Sequence, residues 1–479
     1  MRKIHLSPAG IHHLLKKRIS AAVVIVVVLS LMIFSRLYYL QIYQNERYTT
    51  LSAKNQISIL PISPQRGVIY DRNGIVLAEN IPTFSLVIIP EKIEDIEETI
   101  EQLNAIINLS EVEITLFKQQ AQHRRKSEPV PIRFKLSEAD VAQLAVNQHR
   151  FPGVLVQADL MRTYPLGGAF GHVLGYIGRI NEKDLEEVDA FDYQATDFIG
   201  KIGIERYYEK LLHGRTGHEE AEKDASGRVV RVLDRVAPQP GNDIYLTLDS
   251  NLQIAADEAM GELRGAVIAL DPRSGEVLAM VSKPNFDPNL FVQGFSQAEY
   301  DTLLTSTYRP LFNRTIRGQY PLASTIKPFI AIQALDANIV SLDYEVYDRG
   351  WFQFPNSSRR YRDWKRDGHG WINLHRAIVA SCDTFFYELA NMMGIDPMYD
   401  ILTAFGFGKK TGIDLMEEQV GLVPNPAWKR QYNGESWFPG DTIITGIGQG
   451  FTLSTPLQLA LATAYLANKG QHVQPHLLL

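Results

Sequence analysis

At 479 residues the chain is too long for one ordinary domain, and its 45% hydrophobic and 21% charged residues are the composition of a folded protein. A formal net charge of −6 excludes a chain that binds nucleic acid through overall basicity. The lone cysteine, Cys382, excludes an intrachain disulfide framework and is neutral about compartment.

Residues 1–18 carry Arg2, Lys3, Lys16, Lys17 and Arg18 and no acid. Residues 19–34 are almost wholly apolar, and residues 37–43 extend the run past Arg36 with Tyr38 and Tyr39. Such a core is just long enough to span a bilayer of about 30 Å. The basic flank puts the N-terminus in the cytoplasm, and the tyrosines suit the far interface. A cleaved signal peptide is the alternative, but Ser35-Arg36-Leu37-Tyr38 is a poor cleavage site. We read a cytoplasmic tail at 1–18, an uncleaved anchor at 19–41, and the bulk of the chain outside the cytoplasm.

Residues 42–240 read as a mixed, irregular region. Residues 66–77 form two short strands around the Asn73-Gly74 turn. Ile93, Ile96, Ile100, Leu103 and Ile107 recur at helical spacing in an acidic segment. Ser110 with Glu113 makes a capping box for the next helix, and Ser137 caps a third through Val141 and Leu144. His172 and the glycines around it read as packing and turn positions, and nothing in this region groups into a catalytic set. Val236-Ala237-Pro238-Gln239-Pro240-Gly241-Asn242 is a linker signal. From 241 the pattern is a strand, a helix from Asp249, then a hairpin over 265–282. The fold class is therefore mixed α/β with an antiparallel sheet.

Ser324 and Lys327 lie three apart, so the first turn of a helix places them on one face. A serine hydroxyl is a weak nucleophile and needs a base beside it; a partly desolvated lysine can serve. About one such pair is expected by accident in a chain this long, so the rest of the sequence must decide. Asn373 opens a helical run that ends at Gly394 and contains Ser381 and Asp383. On a loop between turns, that hydroxyl can pass a proton and that carboxylate can orient a lysine. A plain helix cap is the alternative.

An S-x-x-K pair followed some 55 residues later by S-x-N or S-x-D is the order of motifs in penicillin-binding proteins and serine β-lactamases. The N-terminal anchor, residues 66–74, Leu246-Thr247-Leu248-Asp249 and Gly446-Ile447-Gly448-Gln449-Gly450 extend the likeness over essentially the whole chain. The sequence resembles the class B penicillin-binding proteins. It is closest to the penicillin-binding protein 2 group, the elongation transpeptidases of rod-shaped Gram-negative bacteria.

The resemblance implies a non-catalytic, dimerisation-type pedestal at 42–240 and a transpeptidase domain at 241–479. It implies acyl transfer: Ser324 attacks the penultimate D-Ala carbonyl of a stem peptide, Lys327 takes the proton, and a neighbouring stem's amine resolves the acyl-enzyme. β-Lactams mimic D-Ala-D-Ala and acylate Ser324. A SEDS-family glycosyltransferase and a rod-shape scaffold protein are the implied partners, and the bacterial inner membrane the implied location.

Two further expectations follow. The family's third motif, Lys-Thr/Ser-Gly, lines the cleft on a strand after the helix that here spans 456–468. Lys410-Thr411-Gly412 comes too early and sits in a glycine-rich turn, so we read it as a decoy. The true motif is then expected beyond Leu479, the chain reads as truncated within its transpeptidase domain, and labelled penicillin is expected to acylate it poorly. Second, Asp348, Asp363, His369 and Cys382 offer carboxylate, imidazole and thiolate ligands suited to a closed zinc site. Their spacing is no compact finger, but homologues in the resembled group hold zinc with this ligand set. The alternative is a small buried cysteine beside surface loop residues.

A β-lactamase or D,D-carboxypeptidase would need a residue that activates water for deacylation. A β-lactam sensor or inactive scaffold would tolerate Ser324→Ala.

Overall fold

The computed structural model describes residues 8–44, 57–123, 126, 129–189, 191–193, 195–223, 229–294 and 297–479. Arg2 and Lys3 of the basic flank lie outside them. The chain divides into two compact units, one joining Met1–Ser63 to Thr216–Gln239 and the other joining Pro64–Arg215 to Pro240–Leu479.

In the first unit a helix, Pro8–Tyr38, continues through a π-helical turn, Tyr39–Tyr43. The stretch Lys16–Tyr43, 28 residues, is long and apolar enough to cross a membrane. Its apolar side chains, among them Val23, Ile33 and Phe34, are exposed, as lipid contact requires. The rest of the unit is a three-stranded antiparallel sheet of Ile57–Ile62, Gly217–Lys223 and Val229–Val236.

In the second unit the long strand Val76–Ile88 organises the first half. It pairs antiparallel with Ile69–Tyr70, with Val130–Arg133, and with Val154–Thr163 from Glu79 opposite Thr163 to Ile88 opposite Val154. The turn before it forms at Asn73-Gly74 as the sequence suggested. The Asp71 carboxylate accepts the Asn73 and Ile75 N–H groups, each at 2.8 Å, and Gly74 takes a φ of +83°. The acidic segment folds as the helix Ile96–Ile107, capped by Asp95, and buries Ile100, Leu103 and Ile107. Ser110 and Glu113 cap the helix Glu111–His123 reciprocally, and Ser137 caps Glu138–Asn147 with Asp140. His172 is a packing residue, edge-on to Phe286 at 5.0 Å and bonded through a ring nitrogen to the Pro284 carbonyl.

A buried ionic network knits this half together. Arg162 pairs with Glu205 at 2.7 Å, both side chains fully buried. Arg66 spans Glu205 and Glu209 at 2.6 and 2.7 Å. Tyr164 and Tyr193 hydroxyls and the Gly200 N–H complete the acceptors' shells. Burial pushes the Glu205 carboxyl up, but Arg162 and Arg66 outweigh it and hold it below the ordinary carboxylate range.

The second half opens with the expected hairpin, Gly265–Leu270 antiparallel to Val277–Lys283, backed by the helix Ser250–Met260. Then comes a helical lobe. Ile326, Phe329, Ile330, Phe385, Phe386, Leu389, Met398, Leu402 and Ala462 form one buried cluster beneath the helices Lys327–Asp336, Asp383–Met393 and Ile395–Ala404. The run opened by Asn373 is two helices, Leu374–Val379 and Asp383–Met393, broken at Ser381, whose φ is +53°.

Candidate active site

Ser324 lies in a 3-10 turn, Ala323–Ile326, that feeds directly into the helix from Lys327. Ala323 adopts a φ of +48°, and its N–H donates to the Gly448 carbonyl at 2.8 Å. That bond clamps the nucleophile turn to the Gly446–Gly450 loop. A side chain at Gly448 would strike Ala323: a Cβ there would lie 2.3 Å from its carbonyl oxygen. Ser324 itself is exposed, and its N–H makes no hydrogen bond among the described residues.

Lys327 is the opposite. It is 1% exposed and packs over the Phe386 ring at 5.5 Å. Its ammonium donates to Asp383 Oδ1 at 2.7 Å, the Ser381 carbonyl at 2.8 Å and Ser381 Oγ at 3.1 Å. Ser381 Oγ donates in turn to Ser324 Oγ at 2.8 Å. The four residues singled out in the sequence therefore meet in one chain of hydrogen bonds. The order within it was not legible: Ser381 stands between nucleophile and lysine. Its left-handed backbone turns both its hydroxyl and its carbonyl toward Lys327, and Cys382, not Ser381, caps the following helix through Sγ.

Behind Ser381 lies the second cluster. Ligand atoms of Asp348, Asp363, His369 and Cys382 all fall within 4.8 Å of one another. Cys382 Sγ is 3.5 Å from Asp348 Oδ2 and 3.4 Å from Asp363 Oδ2. Asp348, Asp363 and Cys382 are buried, and His369 Nε2 is buried without a hydrogen-bond partner. Burial, then the two carboxylates, push the Cys382 thiol well above its ordinary range. The Gly350 N–H holds Asp348, and the Thr384 N–H holds Asp363. Two buried carboxylates, a thiol and the His369 ring, whose Nδ1 lies 2.7 Å from Asp348 Oδ2, gather ligand atoms that fit a divalent cation. Tetrahedral ligands about 2.0–2.3 Å from zinc sit roughly 3.5 Å apart, so a modest contraction closes the site.

Lys410-Thr411-Gly412 forms no strand. The Thr411 and Gly412 N–H groups bond the Glu418 carboxylate, and Gly412 O accepts from Gln474. None of its hydrogen bonds reaches the Ser324 chain.

Two family models match: the penicillin-binding protein dimerisation domain over residues 61–246 and the penicillin-binding protein transpeptidase domain over 265–479. The peptidoglycan D,D-transpeptidase MrdA of Acinetobacter baumannii is 46% identical over 461 residues, 96% of this chain and 69% of that protein. Among solved structures, the complex of penicillin-binding protein 2 with MreC from Helicobacter pylori matches with a TM-score of 0.76 and 31% identity, over 88% of this chain and 78% of that one. A structure of a peptidoglycan synthase complex, titled for its coordination of polymerization and crosslinking, matches with a TM-score of 0.69 and 29% identity, over 96% of this chain and 79% of that one. By both domains and by these relatives, the chain belongs to the class B penicillin-binding proteins, in company with the D,D-transpeptidases of the MrdA type.

Proposed function

We infer that the chain is a serine D,D-transpeptidase that cross-links peptidoglycan stem peptides during cell elongation, and that its four motif residues do the chemistry. The observation that carries the residue roles is the unbroken chain Ser324–Ser381–Lys327–Asp383. Ser324 Oγ attacks the penultimate D-Ala carbonyl, and its proton passes through Ser381 Oγ to Lys327 in its amine form. The terminal D-Ala amine leaves and takes that proton back by the same path. An incoming stem amine then attacks the acyl-enzyme along the reverse route, regenerating Ser324. Asp383 orients Lys327 by a charge-assisted bond. The unengaged Ser324 N–H is one oxyanion donor, and losing one such donor costs about 10²–10³ in rate. The test is acylation by labelled penicillin: Ser324→Ala abolishes it, and Ser381→Ala slows it by about 10²–10⁴ while the fold is kept. Normal labelling of Ser381→Ala would remove the relay.

We assign Asp348, Asp363, His369 and Cys382 to a structural zinc ion. When bound, the metal ties the 348–369 segment to Cys382, which adjoins Ser381 and caps the helix that carries Asp383. We also place the chain in the bacterial inner membrane as a single-pass protein with its bulk in the periplasm, the basic residues Lys16, Lys17 and Arg18 holding the tail in the cytoplasm. We take residues 42–240 as the pedestal and 241–479 as the transpeptidase domain. The pedestal and anchor would meet a SEDS-family glycosyltransferase and a rod-shape scaffold. The H. pylori relative's complex with MreC supports the second of these.

A further inference from the structure

The segment between the two catalytic motifs carries a concentration of positive charge that the reaction chemistry above does not use. Arg349, Arg359, Arg360, Arg362, Lys365 and Arg366 are all exposed, and the one exposed acid from 349 to 367 is Asp367, at the end of the run. The neighbouring Asp348 and Asp363 are buried and turned inward to His369 and Cys382. Among the described residues none of the six cations has an ion pair, whereas fourteen other lysines and arginines of this acidic chain do, from Arg66 to Lys429.

The fold draws these charges together and holds several rigidly. Trp351–Phe352 pairs antiparallel with Tyr361–Arg362, which sets Arg362 opposite Trp351. The Trp351 ring has guanidinium groups over it from Arg360 at 4.2 Å and Arg349 at 5.1 Å, and Arg359 lies over Tyr361 at 4.8 Å. Gly350 joins the two arms: its carbonyl accepts the Asp363 N–H at 2.9 Å, and its Cα packs so close to Arg366 that a Cβ would lie 2.2 Å from that residue's carbonyl oxygen. Stacking on an aromatic face fixes a guanidinium plane yet leaves its N–H edge open, the geometry that takes a carboxylate in bidentate fashion.

The strap is also continuous with the catalytic centre. Trp364 Nε1 donates to the Ala380 carbonyl at 3.1 Å, one residue before Ser381, which bonds Ser324. Arg362 and Lys365 lie within two residues of that tryptophan. On the mechanism above, Ser381 serves the leaving and the incoming amine, so the acceptor stem arrives on this side.

We propose that this basic strap binds the carboxylates of the acceptor stem peptide and steers its amine toward the acyl-enzyme; the proposal rests on the transpeptidase reading. The test uses the full chain with Arg349→Glu and Arg360→Glu combined. Binding of a synthetic stem peptide, as the free acid and with its side carboxylates amidated, is read by fluorescence anisotropy in a Ser324→Ala background, so that no turnover intervenes. The free acid is expected to bind several-fold tighter than the amidated stem, and by a margin that shrinks as salt rises. The double variant is expected to weaken the free acid about tenfold and leave the amidated stem unchanged. With Ser324 intact, its acylation by labelled penicillin should stay within about twofold, which shows the site still folded. Equal binding of both stems by the parent chain would overturn the proposal, as would a double variant that keeps the preference. A variant with normal stem binding that loses an acidic protein partner would give the strap to that partner and overturn it too. Complete failure of penicillin to acylate the parent chain even on prolonged incubation would instead strike the transpeptidase reading, and is scored separately.

Discussion

Glu205 and Lys327 are both buried charges met by opposite charges, yet one belongs to a closed network and the other to an open one. Around Glu205 every neighbour is itself buried or nearly so: Arg162, Arg66, Glu209, Tyr164. Around Lys327 the bonds run outward, from a buried ammonium through half-buried Ser381 to exposed Ser324. A closed network can only hold its elements together, because its carboxylates are spent on buried partners and none of its members ends on an exposed group. An open one ends on a hydroxyl that a substrate can reach. The same charge-assisted bonds thus serve stability in the first half of this unit and chemistry in the second.

Four substitutions sharpen that contrast, in descending order of effect. Ser324→Ala is expected to abolish penicillin acylation with stability changed by no more than about 0.5 kcal/mol, as for an exposed site; urea unfolding with labelling on the same samples checks both. Glu205→Ala should do the reverse. It leaves Arg162 buried without its carboxylate and Arg66 with Glu209 alone, a loss of roughly 3–5 kcal/mol, while the molecules that remain folded acylate at the parental rate. Loss of acylation rate in the folded fraction would mean that the closed network reaches the active site. Cys382→Ser is expected to remove a stoichiometric zinc, measured by metal analysis, and to lower Tm by several degrees. Unchanged metal content and Tm would return Cys382 to the role of a small buried residue.

The last prediction concerns pH. Burial raises the Glu209 carboxyl, but Arg66 above all outweighs it, so Glu209 like Glu205 titrates below its unfolded value. Groups depressed in this way bind protons more readily in the unfolded chain. Their stabilisation is complete above the ordinary carboxylate value of about 4.3 and is lost as pH falls beneath it. The urea midpoint should begin to slip below about pH 6.5, where burial keeps the His172 and His213 imidazoles from protonating, and should drop further below the ordinary carboxylate value of about 4.3. Glu205→Gln, already less stable, should show a shallower drop; an equally steep one would place the acid-sensitive groups elsewhere.

Local chemistry was legible in the sequence, and so were motifs carried by spacing. The anchor, the Asn73-Gly74 turn, the Ser110 and Ser137 caps and the 265–282 hairpin each rest on residues within a few positions of one another. The meeting of Ser324 and Lys327 with Ser381 and Asp383 was legible through the family likeness. What was missed depends on long-range contact. Arg66 and Glu205 are 139 residues apart, and nothing periodic marks them as partners. The bond from Ala323 to Gly448 that fixes the nucleophile turn is equally silent. The break at Ser381 was hidden for a different reason. A non-glycine residue at φ +53° is held there by the bonds around it, not by its own preference. That break also set the relay order, with Ser381 between the two residues that the spacing alone had joined.

The measurement that bears most directly on this account is the site of the covalent adduct after prolonged incubation of the intact chain with a labelled penicillin, located by peptide mass spectrometry. The expected result is one adduct, on Ser324, absent from Ser324→Ala and strongly reduced in Lys327→Ala. An adduct on another residue, or one on Ser324 that forms as readily without Lys327, would contradict the assignment of the open network as the catalytic centre.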